Sequence, residues 1–279
     1  MPIGGQAVIE GVLIADGERA FLAVRGQDGS VVVEPLSIPR LPKLERIPFV
    51  RGPIKLYQLI SLGLRALQRS AEIAYPEEKS SGWDFFFAIG LALLLLVGGF
   101  IALPFFLATR LGLSNPVLLN LVEGGIRVAF FILYLWGLSL IPEARRVFQY
   151  HGAEHKAVHA YEAGSLELSS ALKQSPIHAR CGTNFIFLFV AVAILVFSLI
   201  PARSFGLRLL ARIGLIPVVA AITYELLLWG AKTRLLRPFL WPGLLFQRLT
   251  TREPMPDQIE VALAAVRQVV SARSSSTTE

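Results

Sequence analysis

The stretch Tyr150–Asn184, YHGAEHKAVHAYEAGSLELSSALKQSPIHARCGTN, contains all four histidines of the chain and its single cysteine. These residues are His151, His155, His159, His178 and Cys181. The stretch opens with an H-x-x-E-H pattern, which is an inverted form of a zinc-protease motif. On an α-helix, His151 and His155 project within about 40° of one another, and Glu154 flanks them at about 60°. The pattern therefore predicts a metal-binding helix.

The residue types in this motif define the chemistry that it supports. Two imidazoles one helical turn apart can chelate one divalent ion, and an adjacent carboxylate can hold the attacking water. We therefore predict that His151 and His155 bind a divalent metal, with zinc favoured, and that Glu154 is the general base. A ligand set with two carboxylates would also allow manganese or iron to bind.

The third metal ligand is left open by the sequence. Glu162 shares the helix face of His155, but it lies two turns along, roughly 10 Å of rise. His178 and Cys181 return on a separate loop, so we rank them ahead of Glu162 as ligands. His159 and Glu162 are then predicted to support the ligands or to face the substrate. Alternatively, Cys181 is a nucleophile paired with a histidine.

The composition of the whole chain indicates a membrane protein. Hydrophobic residues make up 54% and charged residues 17% of the 279 residues, and the mean hydropathy is +0.58. The net charge of +7 is typical of basic cytoplasmic segments that face anionic lipid. No nucleic-acid-binding motif accompanies it, so nucleic acid is not an expected partner. One cysteine excludes an intrachain disulfide.

Four apolar runs predict four transmembrane helices, and they lie at 83–107, 117–141, 185–200 and 207–230. The last two need flanking polar residues to reach the length of about 20 residues that a span requires. The connections 108–116 and 201–206 carry one arginine each, whereas 142–184 carries five basic residues. The positive-inside rule then places both termini and the histidine stretch in the cytoplasm of a multi-pass inner-membrane protein. Glu123 and Arg127 are expected to neutralise one another.

The remaining segments predict a small cytoplasmic domain around this membrane unit. Residues 1–38 alternate apolar and polar residues and predict a β-meander with strands at 6–14, 20–25 and 30–34. Residues 39–82 form a proline-rich linker and an amphipathic helix, which lies on the membrane surface or packs on the meander. Residues 83–230 form the membrane unit with its cytoplasmic loop 142–184, and 231–279 form an interfacial segment, an amphipathic helix capped by Asp257 with Glu260, and a disordered tail from 274.

Six short segments form a distinctive set. They are GGQAVIEGV at 4–12, IPFVRG at 47–52, HGAEHKAVHAYEAG at 151–164, HARCGTNF at 178–185, YE at 224–225 and LTTREPMPDQIEVALAAV at 249–266. Together they resemble the YqhQ-type family of bacterial membrane proteins, a domain of unknown function usually described as a predicted metal-dependent enzyme. The family usually continues the first motif with Met-Arg-Gly-Pro, where this chain has LIADG at 13–17. The resemblance implies that Gln6 and Glu10 lie beside the histidine site. Independently of the resemblance, Glu225 approaches the same leaflet from the fourth apolar run and is a further candidate for the third ligand or for a supporting position.

These observations predict a metal-dependent hydrolase at the membrane–cytoplasm boundary, with a membrane protein or a lipid as substrate. The alternative is a non-catalytic membrane assembly or regulatory protein whose metal stiffens the long cytoplasmic loop. A filled set of four ligands favours the structural role, and three ligands plus water favour catalysis. A transporter is disfavoured because the ionisable cluster lies outside the bilayer midplane.

Overall fold

The computed structural model describes residues 3–77, 82–178, 181–200, 205–232 and 237–276. An antiparallel four-stranded sheet opens the chain in the order β1-β2-β3-β4. Its strands are β1 (Gly4–Val8), β2 (Gly11–Ala15), β3 (Ala20–Arg25) and β4 (Val31–Leu36). Most of the remaining described residues are helical. The helices are α1 (Arg51–Ala74), α2 (Gly82–Val97), α3 (Leu103–Arg110), α4 (Pro116–Leu138), α5 (Pro142–Glu162), α6 (Leu168–Leu172), α7 (Gly182–Ser198), α8 (Phe205–Gly214), α9 (Ile216–Lys232), α10 (Arg237–Thr250) and α11 (Pro256–Ser276).

The sheet contains one more strand than the sequence predicts. The single strand predicted at 6–14 is wrong, because the chain reverses at Ile9 and Glu10 and pairs Val8 with Gly11. Glu10 adopts the left-handed region with φ 49°, which permits so tight a turn. The apolar run carries neither an Asn-Gly nor an Asp-Gly pair at this point, so its pattern gave no turn signal. The turn after β2 does follow its Asp-Gly pair, since Asp16 Oδ1 accepts hydrogen bonds from the N–H groups of Glu18 and Arg19.

Helices cover both faces of this sheet. One face packs Leu13, Leu22 and Val24 against α1. The other face packs Val12 and Ile14 against α5 and α11. A sheet of this size cannot bury enough apolar surface alone, so these helices supply the missing cover. The sequence predicts the amphipathic helix either on the membrane surface or on the meander. In the structure it packs on the meander.

Helix α1 also connects the sheet to the apolar helices. It packs along α9, and Gly52 makes the close approach possible. A Cβ atom at this glycine would lie 2.8 Å from Cα of Ala221, which is closer than real Cβ contacts allow. The sheet and the apolar helices are therefore joined through a tightly packed helix pair.

Two helical stretches of the described chain are long and apolar enough to cross a membrane, Phe86–Arg110 and Val117–Leu138. The first includes a π-helical turn at Gly98–Ala102 between α2 and α3. The third predicted span forms a shorter apolar helix, Asn184–Phe197. The fourth is not one helix, because it divides into α8 and α9 between Gly214 and Pro217, where proline is tolerated only in a helix's first turn.

The C-terminal helix α11 lies against α5 and the sheet with Ile259, Leu263 and Val266 buried. Its predicted cap is wrong in detail, because Gln258 Oε1 accepts the N–H of Met255 at 2.9 Å and Asp257 lies inside the first turn. The predicted disordered tail is also corrected, since the helix continues to Ser276. The rest of that predicted tail, residues 277–279, lies outside the described residues.

Candidate metal centre

Helix α5 carries the histidines in a close-packed environment. The helix begins with Pro142 after Ile141 and ends before Gly164, whose φ of 79° breaks it, as the sequence predicts. The segment after α10 crosses α5 at Gly152. A Cβ atom on Gly152 would collide with the backbone oxygen of Arg252 and would lie 3.3 Å from Pro254 Cδ. The glycine inside the H-x-x-E-H motif is therefore needed for this crossing.

The crossing segment orients His151. Its Nδ1 lies 2.9 Å from the carbonyl oxygen of Thr250, which can only accept a hydrogen bond. Nδ1 therefore carries the proton, and Nε2 presents a lone pair. That Nε2 atom lies 3.1 Å from Sγ of Cys181, which is buried immediately before α7. The loop residue and the helix residue thus meet, as they must to share a metal ion.

His155 is oriented in the same way and is more deeply buried, with 1% of its surface exposed. Its Nδ1 lies 2.6 Å from the carbonyl oxygen of Pro176, so Nε2 again presents the lone pair. Burial, followed by the nearby His151, lowers the pKa of His155 to about 3, so the ring is neutral at pH 7. Within the described chain its Nε2 is buried without a hydrogen-bond partner. Leaving such an acceptor unsatisfied costs free energy that a bound cation would offset.

The ligand atoms of His151, His155 and Cys181 lie within 4.8 Å of one another. Two imidazole nitrogens and one sulfur can hold a divalent metal ion. Backbone carbonyls hold both rings from behind, an arrangement that is usual for histidines that bind metal. The residues present therefore fit the group that the sequence predicts.

Glu154 lies beside these atoms, with its Oε2 3.6 Å from Nε2 of His155. Burial raises the pKa of its carboxyl group to about 7, with a smaller opposing effect from His151. The N–H of Gly5 donates a hydrogen bond to this carboxylate. A Cβ atom at Gly5 would lie 3.1 Å from Glu154 Cγ and would collide with the backbone of Leu13. The first motif therefore reaches the site through Gly5, which the sequence-based reasoning did not select.

A second group adjoins the first and contains His159, Glu162 and His178, whose ligand atoms also lie within 4.8 Å of one another. Nε2 of His178 lies 3.5 Å from Oε2 of Glu162. Gln247 holds the backbone of His178, since its side chain accepts from the N–H and donates to the carbonyl, both at 2.9 Å. Burial, and then His159, lowers the pKa of His178 to about 4. Neither Gln247 nor Thr250 carries a sequence signal that points to these contacts.

Comparison with known proteins places the chain in a protein family. Residues 47–272 match the family described as "Protein of unknown function (DUF1385)". The chain belongs to this family. It is also 34% identical over 294 residues to "Uncharacterized protein YqhQ" of Bacillus subtilis (strain 168), covering 96% of this chain and 92% of that protein. No solved structure matches the chain. The resemblance inferred from the six segments is therefore confirmed.

Three of the predicted site residues make their contacts with residues other than the histidines. Gln6 Nε2 donates to the carbonyl oxygen of Leu59 at 3.4 Å. Glu10 pairs with Arg146 and accepts a hydrogen bond from Tyr150. Glu225 forms an ion pair with Arg51 at 2.5 Å and accepts from the N–H of Phe49. These motif residues therefore tie the sheet, α1, α5 and α9 together, and their predicted place beside the metal ligands stays a prediction.

Proposed function

We propose that this DUF1385 chain is a zinc-dependent hydrolase that acts at the membrane–cytoplasm boundary. One observation carries the proposal. Nε2 of His151, Nε2 of His155 and Sγ of Cys181 converge within 4.8 Å beside the carboxyl group of Glu154. Three protein ligands leave one tetrahedral position for water or substrate, which is the pattern of catalytic zinc sites.

The chain's own residues support the hydrolysis as follows. When bound, zinc supplies Lewis-acid chemistry that lowers the pKa of water. Glu154 accepts the proton of the attacking water while the water oxygen bonds to the electrophilic centre of the substrate. Glu154 then returns this proton to the leaving group as the scissile bond breaks, so protons balance. Burial raises the pKa of the Glu154 carboxyl group, which makes its carboxylate a stronger base for the proton of the water.

The apolar helices support a position at the membrane surface. Helix α4 ends at Leu138, only a few residues before α5 begins, and Cys181 directly precedes α7. The helix and the loop that build the site therefore each lie directly beside the end of an apolar helix. This position suits a membrane protein or lipid as substrate. We propose four crossings of the inner membrane, the fourth through the α8–α9 pair, with both termini in the cytoplasm. In intact cells, a membrane-impermeant thiol reagent should label Ser114→Cys and leave Ser165→Cys unlabelled, against a wild-type background whose single cysteine is buried.

The experiment for the catalytic role compares metal content with activity. His151→Ala should remove zinc from this site, whereas Glu154→Gln should retain zinc and fail to complement a chromosomal deletion. Glu143→Gln, on an exposed position of the same helix, is the matched control for the loss of a carboxylate. If Glu154→Gln complements as well as wild type, the metal is structural and the chain is a non-catalytic assembly or regulatory protein.

The 3.1 Å distance between His151 Nε2 and Cys181 Sγ favours a second candidate, a cysteine hydrolase without metal. There His151 would take the thiol proton while the carbonyl group of Thr250 holds its other ring nitrogen. Alkylation by iodoacetamide separates the candidates. Zinc ligation protects Cys181 until a chelator is added, whereas a free thiolate reacts at the same rate with and without chelator.

A further inference from the structure

We infer that the chain holds a second divalent cation, bound by His159, Glu162 and His178 next to the first site. This inference goes beyond the proposed hydrolase, because it concerns different ligands and holds whatever the first ion does. Helix α5 supplies two of the ligands and the loop after α6 supplies the third. The same helix and loop therefore build both sites.

The helix spacing places the first two ligands together. His159 and Glu162 are three residues apart, which puts their side chains on one face of α5. His178 reaches this face from the loop, with its ring centroid 4.4 Å from that of His159 and its Nε2 3.5 Å from Glu162 Oε2. All three ligand atoms lie within 4.8 Å of one another, a separation that one ion can bridge.

Hydrogen bonds to the backbone prepare these rings for a cation. Nε2 of His159 lies 3.1 Å from the carbonyl oxygen of Ile177, so it must donate, and Nδ1 keeps a lone pair. Gln247 holds the backbone of His178 at both its N–H and its carbonyl group. The ring of His178 is thus presented from a fixed loop. The same construction, a backbone carbonyl behind a ligand ring, occurs at His151 and His155 in the first site.

The donor set indicates which cations bind. Two imidazole nitrogens and one carboxylate oxygen favour zinc, manganese or ferrous iron over calcium or magnesium. The side chain of Glu162 is 34% exposed, whereas that of His155 in the first site is 1% exposed. The second site is therefore open to solvent and lacks the sulfur ligand of the first. We expect the second cation to exchange faster and to bind more weakly.

The two sites adjoin along one stripe of α5. His155 of the first site and His178 of the second have ring centroids 5.7 Å apart. Loss of one site should therefore lower the affinity of the other only modestly, because no ligand is common to both sets.

The test is the number of ions that the full-length protein binds in detergent. Metal-free wild type is titrated with zinc chloride in a calorimeter, and bound zinc is counted after desalting. We expect two equivalents that differ in affinity by at least about tenfold. Glu162→Gln and His159→Gln should keep the tight equivalent and weaken the other at least about tenfold. Cys181→Ser should keep the weaker equivalent and lower the affinity of the tight equivalent at least about tenfold. Glu167→Gln, an exposed carboxylate immediately before α6, is the matched control and should bind both equivalents.

Three results would overturn the second site, and they differ from those that test the hydrolase. A single equivalent in wild type that Glu162→Gln leaves unchanged removes the second site and leaves the first intact. A single equivalent lost in both Glu162→Gln and Cys181→Ser shows one site with ligands from both sets. Two equivalents that neither Glu162→Gln nor His159→Gln weakens place the second ion elsewhere. The thermal midpoint of each variant, measured without metal, confirms that it is folded.

Discussion

The charged cluster of α4 and the histidine cluster of α5 are both buried, and they satisfy their polar atoms by different means. In the charged cluster the carboxylate of Glu123 accepts hydrogen bonds at 2.5 Å from Arg127 and from Arg212 of α8. Arg127 also donates to the carbonyl oxygen of Phe100 in the π-helical turn, and the ring of Phe105 lies 4.4 Å from the guanidinium carbon of Arg212. Each arginine here donates to the carboxylate of Glu123, and of the described polar atoms in the cluster Arg212 Nε is buried without a partner.

In the histidine cluster, two imidazole nitrogens direct lone pairs inward, and that of His151 faces the thiol of Cys181. The Nε2 atoms of His151 and His155 carry these lone pairs, because both Nδ1 atoms donate hydrogen bonds to backbone carbonyl groups. The carboxyl group of Glu154 adds a further acceptor when it is ionised. A cation bound between these atoms would satisfy their lone pairs, whereas the charged cluster already contains the carboxylate of Glu123. The comparison teaches that burial of polar groups alone does not indicate a metal site. The direction of their lone pairs does.

The largest expected effect breaks the charged cluster. Glu123→Gln leaves two guanidinium groups buried without their carboxylate, so we expect the free energy of unfolding to fall by about 3 to 5 kcal/mol. The thermal midpoint in detergent measures the loss, with Glu143→Gln as the exposed control. Zinc bound per folded molecule should stay unchanged. A midpoint within about 2 °C of wild type would show that the cluster does not hold α4 and α8 together.

At the histidine cluster we expect a change of similar size in the free energy of unfolding, but only when metal is bound. Zinc at about 1,000 times its dissociation constant should raise the free energy of unfolding of wild type by about 4 kcal/mol. His155→Ala removes a ligand of the first site, so the gain from that site should vanish and only the smaller gain from the second site should remain. The measurement compares thermal midpoints with zinc and with chelator. An equal zinc-induced shift in wild type and His155→Ala would exclude His155 as a ligand.

The pH dependence of the metal-free protein distinguishes Glu154 from its neighbours. Folding raises the pKa of Glu154 from 4.5 to about 7, so the folded state binds the extra proton between these values and loses stability as pH rises. His155 acts oppositely, because its pKa falls from 6.5 to about 3 and folded stability rises with pH across that range.

Glu154→Gln removes only the first of these two effects. The stability of the variant relative to wild type should therefore increase between pH 4.5 and 7, by on the order of 3 kcal/mol. Urea unfolding with chelator at several pH values measures the difference. A difference that is constant with pH would mean that Glu154 titrates alike in the folded and unfolded states.

The smallest expected effect marks the boundary of the histidine cluster. Glu225 pairs with Arg51 in a partly exposed position, where an ion pair contributes little. We expect Glu225→Gln to bind zinc as wild type does and to keep its thermal midpoint within about 2 °C. Chelator competition measures the affinity. A clear loss of zinc affinity would return Glu225 to the surroundings of the metal, where the sequence-based interpretation put it.

Much of what local chemistry controls could be predicted from the sequence. The start and end of α5 follow from Pro142 and Gly164, and the spacing of His151 and His155 follows from helical periodicity. The same holds for the ion pair of Glu123 with Arg127 and for the turn at Asp16. Each of these depends on residues a few positions apart, whose geometry the backbone dihedral angles largely determine.

Only the tertiary structure decided which distant residues join them. Cys181 rather than His178 meets His151, Arg212 joins Glu123 across 89 positions, and Gly5 reaches Glu154 from the sheet. The continuous apolar pattern at 6–14 likewise did not show the reversal at Glu10. Such contacts depend on the path of loops and on the packing of whole helices, which periodicity and spacing do not encode. The histidine spacing predicted a metal site from the sequence, and the tertiary structure determined the partners that each histidine has.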